Sequence, residues 1–346
     1  MEQVPLTDLD PGAAGRMSAR DLDDVRVLSP VVPATGYAAV GVTWAPGTVV
    51  GDRDLFVRTQ TDGAWSRWQP MSAGDQHAAT IGSAEAQQAL SGTDPVIVGH
   101  VDAVQVKMTA GVQRLPAALT LSVIDPGEPT TAQRVAERID SPAYPHKSGK
   151  GSVTPRPGIY SRAQWGADES MRSGFAGYGK IRAGFVHHTV NANDYSPADV
   201  PAILRAIYAY HTQSQGWSDV GYNFLVDRFG RIWEGRWGGI ERAVIGAHTY
   251  GYNEDSFAMS AIGNFEVARP PRAMRRAYCR LFAWKLRRNG IDAGSSTRIN
   301  GRVLRSISGH GDVGSTACPG AHLDERLRLI RRRATRRQQA WSGRGT

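Results

Sequence analysis

The chain has 346 residues, 41% of them hydrophobic and 21% charged, an ordinary globular composition outside the disordered range. That length suggests two domains, at roughly 100–200 residues each. The apolar runs are too short for a transmembrane helix, and two cysteines exclude a disulfide framework or a zinc-ribbon cluster. The net charge of +9 is unevenly spread: residues 1–157 carry 13 Lys+Arg against 17 Asp+Glu, and residues 158–346 carry 28 against 15. A basic half of that size attracts polyanions such as nucleic acid, anionic lipid or anionic cell-wall polymer.

Residues 1–30 are polar and acidic, without periodicity, and are expected to form a poorly ordered lead-in. Met1 to Ser29 holds no apolar stretch of the signal-peptide kind. From 31 to 126 the signals are strand-like. Tyr37–Trp44, Leu55–Thr59, Pro95–Gly99, Val104–Met108 and Leu119–Ile124 are short and β-branched, with turn chemistry at Asp62-Gly63 and Pro126-Gly127. They predict an all-β, sandwich-like accessory domain. Trp65 and Trp68 suit a sugar-stacking platform, and equally a core or sheet-edge pair. Residues 127–157 turn to Pro, Gly, Ser, Thr and Lys, the composition of a linker.

From 158 to 335 helix and strand signals alternate. Ser196-Pro-Ala-Asp199 reads as a helix start, followed by Val200, Ile203, Leu204, Ile207 and His211 at helical spacing. Further helices are expected over about Pro271–Asn289 and His322–Arg333. Strands are expected at Ala183–His187, Tyr222–Val226, Arg231–Glu234, Ala243–Ala247, Phe257–Ile262 and Ser306–Ser308, with a hairpin at Arg228-Phe-Gly230. The result is an α/β domain, a mixed sheet flanked by helices, and then a basic tail from 336 to 346.

Four of the nine histidines stand at strand ends or in loops: His187, His188, His248 and His310. His310 lies eight residues before Cys318 on a glycine-containing loop. Zinc prefers imidazole and thiolate, and a catalytic zinc keeps three protein ligands and one open position. One strand histidine with His310 and Cys318 would supply that set. Hydrogen-bonded structural histidines beside an inert cysteine fit the same spacing.

Seven motifs then occur in order: Ser161–Glu169, Phe185-Val-His-His-Thr189, Gly216–Phe224, Gly230–Arg236, Gly246–Asn253, Ser256–Phe265 and His310–Gly320. Over about 158–335 the chain resembles the peptidoglycan recognition protein family, which shares its fold with phage lysozyme-type N-acetylmuramoyl-L-alanine amidases. The first half is similar to the β-rich region preceding such domains in actinobacterial wall amidases. The resemblance implies zinc ligands at His187, His310 and Cys318. It implies hydrolysis of the amide between N-acetylmuramic acid and L-alanine in peptidoglycan. Relatives lacking the cysteine bind wall fragments without cutting them, so a non-catalytic recognition module is the alternative function. The resemblance places Tyr222 beside the metal, to hydrogen-bond the water or the oxyanion. Thr316, a second candidate catalytic residue, stands where some relatives carry Lys, and its hydroxyl would orient a water or oxyanion without bringing charge; Ser260 stands where a glutamate base is found in others, which leaves the general base open.

His248, Asn253 and Arg236 are the candidate substrate-binding groups, and Arg236-Trp237-Gly238 the candidate for reading the stem peptide's third residue. His188 falls on the strand face opposite His187, suiting packing or support of a ligand. His211, Trp165 and Trp217 read as core, and Cys279 as a small apolar filler. Seven arginines between Arg326 and Arg337 suit a solvated helix face or a contact with anionic wall polymers. No helix-turn-helix, zinc-finger or RNP-like signature is present, so nucleic acid is not an expected partner. The expected setting is a monomer acting on peptidoglycan at the cell wall or outside the cell.

Overall fold

A computed structural model describes residues 1–34, 37–51, 54–73, 77–111, 114–126, 141–147 and 154–342. The chain divides into two compact units. One comprises Met1–Asp75, Ala89–Glu128 and Ala202–Gly216; the other comprises Gln76–Gln88, Pro129–Pro201 and Trp217–Thr346.

The first unit holds two antiparallel sheets. In one, β1 (Glu2–Pro5) pairs with the later strand Thr120–Ile124, which pairs with Tyr37–Trp44. Numbered in chain order, β2 is Val25–Leu28, β3 Tyr37–Trp44, β4 Leu55–Thr61, β5 Val96–His100, β6 Ala103–Thr109 and β7 Thr120–Ile124. The first sheet runs β1-β7-β3 with β5 also on β3, and the second runs β2-β6-β4. Period-two alternation explains the packing. Val40 and Val42 from β3, Leu55 and Val57 from β4, Val104 and Val106 from β6, and Leu121 and Val123 from β7 form one buried cluster drawn from both sheets. Asp62 and Gly63 both adopt positive φ at the tight turn after β4.

The expected lead-in is ordered instead. β1 gains a full ladder on β7, and Asp10 and Ser18 cap short helical turns at Pro11–Ala14 and Ala19–Leu22. Polarity hid these elements, because they hold their places through pairing and caps more than through buried side chains. Arg58 lies over both Trp65 (4.5 Å) and Trp68 (4.6 Å), so the chain's own cation covers the two rings. That favours the sheet-edge reading over a sugar platform. Tyr210 completes this unit: its hydroxyl donates to Thr93 O at 3.0 Å. Its ring lies so close to Gly41 that a Cβ there would fall 2.2 Å away. Of the expected linker, residues 127–140 and 148–153 lie outside the described residues.

The second unit is the mixed α/β domain expected. Its strands are β8 (Ala183–His188), β9 (Phe224–Val226), β10 (Ile232–Glu234), β11 (Ser256–Ala261), β12 (Ser296–Ile299), β13 (Arg302–Arg305) and β14 (Ile307–Gly309). The sheet order is β10-β9-β11-β8-β14, parallel except for the β9–β10 hairpin. Every residue of β8 is buried, as a central parallel strand requires. Gly184 is needed there, since a Cβ would stand 2.6 Å from Phe257 and 2.7 Å from Phe282.

α1 (Val200–Ala209) begins later than Ser196, after a turn in which Ser196 N donates to Asp199 Oδ2 at 2.7 Å. α2 (Arg272–Arg288) buries Met274, Ala277, Tyr278, Leu281 and Trp284 on its expected face. The Tyr278 hydroxyl lies 3.1 Å from His187 O and Met259 O, tying the helix to the ends of β8 and β11. The last expected helix is split into a turn at Ala321–Asp324 and α3 (Leu327–Ser342), which absorbs most of the expected tail. Ala243–Ala247 is not a strand; only Val244 bridges, to Tyr178.

Lys285 is buried on α2 and donates to Ile240 O at 2.7 Å and Arg242 O at 2.6 Å. Burial lowers its pKa to about 7. A base with a depressed folded pKa costs stability in full below about pH 7, and the cost fades as pH rises toward its unfolded value. Lys285→Met is therefore expected to show a smaller rise in stability than wild type between pH 7 and 10, measured by urea unfolding across that range. Parallel pH profiles for the two proteins would refute the assignment.

Candidate metal centre

Parallel pairing of β8 with β11 and β14 brings the carboxyl ends of the three strands together, where open α/β sheets hold their ligands. His187 pairs in register with Ser260, and Val186 with Gly309, so His310 follows directly at the same edge. The loop beyond His310 returns through Gly311 N, which donates to Cys318 O at 2.8 Å. Cys318 Sγ then lies 3.6 Å from His187 Nδ1 and accepts from His188 N at 3.4 Å. The three residues expected as zinc ligands are thus brought together, all fully buried or nearly so.

A fourth donor joins them. The ligand atoms of His77, His187, His310 and Cys318 all lie within 4.8 Å of one another. His77 Nε2 is 3.1 Å from His187 Nδ1. Zinc bonds of about 2.0–2.1 Å to nitrogen and 2.3 Å to sulfur give tetrahedron edges of roughly 3.3–3.6 Å, so the spacing suits that ion. Donor chemistry agrees, being imidazole and thiolate. Burial, with His310 and His77 close by, holds the His187 ring well below the ordinary histidine pKa, in the neutral form a ligand needs. His187 Nε2 points away from the cluster to Thr249 Oγ1 at 3.2 Å, an outer hydrogen bond of the kind that fixes a ligand's tautomer.

Tyr222 is buried with its ring centroid 5.5 Å from that of His187. Thr316 Oγ1 accepts from Cys318 N at 3.1 Å, which places it as a support for the cysteine. Ser260 is buried beside His187. His188 turns to the other face and accepts from Phe265 N at 3.2 Å, a packing role. Cys279 is buried, and burial pushes its thiol up to about 11, as an inert filler requires. Trp165 donates to Glu234 O at 2.8 Å in the core, and His211 and Trp217 are also buried.

The candidate substrate groups are engaged internally. Asn253 Oδ1 accepts from His248 N (2.9 Å) and Thr249 N (3.0 Å), ordering the loop that carries both. His248 is buried with Nδ1 3.0 Å from Thr249 Oγ1, and burial followed by the charge of Arg236 keeps it well below the usual histidine pKa. Arg236 is buried too, with Nη2 2.7 Å from Glu85 Oε1 and Nε donating to Val220 O at 2.8 Å. Trp237 keeps 41% of its surface exposed beneath Arg172, 4.3 Å from the ring. On α3, Arg328, Arg331, Arg332 and Arg336 join Arg305 around a hollow of about 520 Å³. His77 and Glu85 lie in the β-rich half, where no motif marks them, whereas Thr249 is adjacent to His248.

The N-acetylmuramoyl-L-alanine amidase family profile matches residues 177–321. A profile described as Rv3811 N-terminal galactose-binding domain-like matches residues 2–137. Peptidoglycan-recognition protein SC2 of Drosophila simulans is 33% identical over 174 residues, 49% of this chain and 84% of that relative. The N-acetylmuramoyl-L-alanine amidase of Homo sapiens is 32% identical over 187 residues, 50% of this chain and 28% of that protein. Among solved structures, wild-type Drosophila PGRP-LB is 29% identical with a TM-score of 0.42, covering 49% of this chain and 91% of its own. With its collinear motifs, its mixed sheet and its histidine–cysteine cluster, the chain belongs to the peptidoglycan recognition protein and type 2 amidase family, carrying an N-terminal β domain.

Proposed function

We propose that the second unit is a zinc-dependent amidase cutting peptidoglycan between N-acetylmuramic acid and L-alanine, at the cell wall outside the membrane. The observation that carries this is Cys318, whose Sγ sits 3.6 Å from His187 Nδ1 in one buried cluster with His310. His187, His310 and Cys318 would hold the zinc, which when bound supplies a Lewis acid and brings the pKa of water to about 7. Thr249 orients His187 through Nε2, and Thr316 fixes the Cys318 backbone. Tyr222, whose ring lies 5.5 Å from that of His187, would donate a hydrogen bond to the attacking water or to the oxyanion as charge develops there. Ser260 carries no charge at pH 7, so the proton handling falls to Tyr222 and the attacking water. The arginine-lined hollow suits phosphate-bearing wall polymers, an attraction that salt would screen.

Purified protein incubated with isolated peptidoglycan is expected to release stem peptides bearing a free L-alanine amine, detected by mass spectrometry. A chelator should abolish release and added zinc restore it, while Tyr222→Phe should slow it about 10²-fold or more. Wall binding without release, by zinc-loaded wild type and by zinc-loaded His77→Ala alike, would replace the enzyme with a recognition module.

A further inference from the structure

Residues 77–88 lie in sequence within the β-rich half yet belong to the amidase unit. Three anchors hold them against the metal cluster and the candidate substrate groups. His77 Nε2 lies 3.1 Å from His187 Nδ1, and its ring centroid lies 4.5 Å from that of His310 and 5.8 Å from that of Tyr222. Ala78 O accepts from Asn253 Nδ2 at 2.7 Å. Glu85 is buried against Arg236 at 2.7 and 3.0 Å and accepts from Ser218 N at 2.9 Å. Burial alone would raise the Glu85 pKa, but the Arg236 charge and hydrogen bonds more than reverse this and keep it ionised. Between the anchors, Ser83 caps the short helix Ala84–Gln88 through Ala86 N at 3.1 Å. The segment therefore occupies Arg236 and Asn253, two of the three groups expected to face substrate, as well as the metal cluster.

A hydrolytic zinc keeps one position open; four protein donors make the closed, structural type. We propose that His77 supplies the fourth donor to the metal, and that residues 77–88 are a built-in occupant of the amidase groove. The conformation described is then a closed form, and an amide carbonyl reaches the metal only after His77 withdraws. The inference rests on the metal site proposed above, and its test separates the two.

Full-length protein and His77→Ala, each loaded with cobalt(II) in place of zinc, would be compared by paramagnetic proton NMR and visible absorption. Wild type should show strongly shifted, exchangeable ring N–H signals from three ligating histidines, and His77→Ala from two. Azide should perturb the visible spectrum of the variant at concentrations at least about tenfold lower than wild type, because a position has opened. Glu85→Gln, which loosens the third anchor without touching a ligand, should move azide sensitivity in the same direction and serves if His77→Ala folds poorly. Two histidine signals in wild type, with azide sensitivity equal to the variant's, would overturn the proposal and leave His77 a hydrogen-bonded neighbour of His187. Three signals in wild type with neither protein cleaving peptidoglycan would uphold the fourth ligand and sink the amidase.

Discussion

Cys318→Ser is expected to lower amide cleavage by about 10³-fold or more while leaving the fold in place. The side chains are close to isosteric, and Cys318 is only 2% exposed, so packing changes little. Ligation changes greatly, because zinc favours a thiolate and a neutral hydroxyl is a poor substitute. Its contacts allow the swap: His188 N donates to Sγ at 3.4 Å and can donate to a hydroxyl instead, and Cys318 N keeps its bond to Thr316. Zinc per chain after dialysis, cleavage rate and melting temperature would be measured on the same samples. An unchanged melting curve with zinc and activity both lost fits the ligand role. Retained zinc and full activity would remove Cys318 from the metal set.

The second large effect concerns stability. Asp219 is buried, accepts from Arg162 Nη1 at 3.0 Å, and also takes Val220 N at 2.7 Å and Trp237 N at 2.8 Å. Arg162 is itself buried, with Glu169 2.7 Å from its Nε. Removing Asp219 takes away the buried counter-charge of Arg162, leaving it only half-exposed Glu169, and strips two amides of their acceptor; breaking a buried pair in this way typically costs about 3–5 kcal/mol. Asp219→Ala should therefore destabilise the amidase unit by that order, read as a lower urea midpoint of its transition. A double variant, Asp219→Ala with Arg162→Met, should recover part of the loss, since the buried guanidinium that has lost its buried partner is then gone, and Glu169 keeps Arg172. A loss under about 1 kcal/mol in the single variant would show that water reaches the site and that the pair is not enclosed.

The two halves were legible to different degrees for physical reasons. β3 and β6 announce themselves by β-branched residues meeting a core, and α2 by its 3.6-residue periodicity. The β12–β13 hairpin was missed although Asn300-Gly301 marks its turn, where both residues adopt positive φ. Its strands alternate polar residues and bury little, so hydrophobic patterning was silent. Ala243–Ala247 errs the other way: its apolar composition suits a strand, but its backbone bonds are shared among Gly177, Gly179, Gly221 and the Asn223 side chain and make one bridge instead of a ladder. His310 and Cys318 are legible as a pair eight residues apart on one loop, whereas His187, 131 residues before Cys318, joins them only through the family resemblance. His77 stands 110 residues before His187 in the chain, and no spacing rule spans such a gap.

The interleaving of the two units bears on how the protein is made. Residues 1–75 and 89–128 leave the ribosome before residues 202–216, so their unit stays incomplete until that later segment has been synthesised. Tyr210, whose hydroxyl caps Thr93 O, arrives only then. Conversely, Glu85 must wait for Arg236 before its carboxylate has a counter-charge. Domain-by-domain folding during synthesis, the ordinary course for a chain of this length, is thus closed to both halves. Each nascent unit spends that interval incomplete, and expression of either half from a cut between residues 128 and 141 would make the interval permanent.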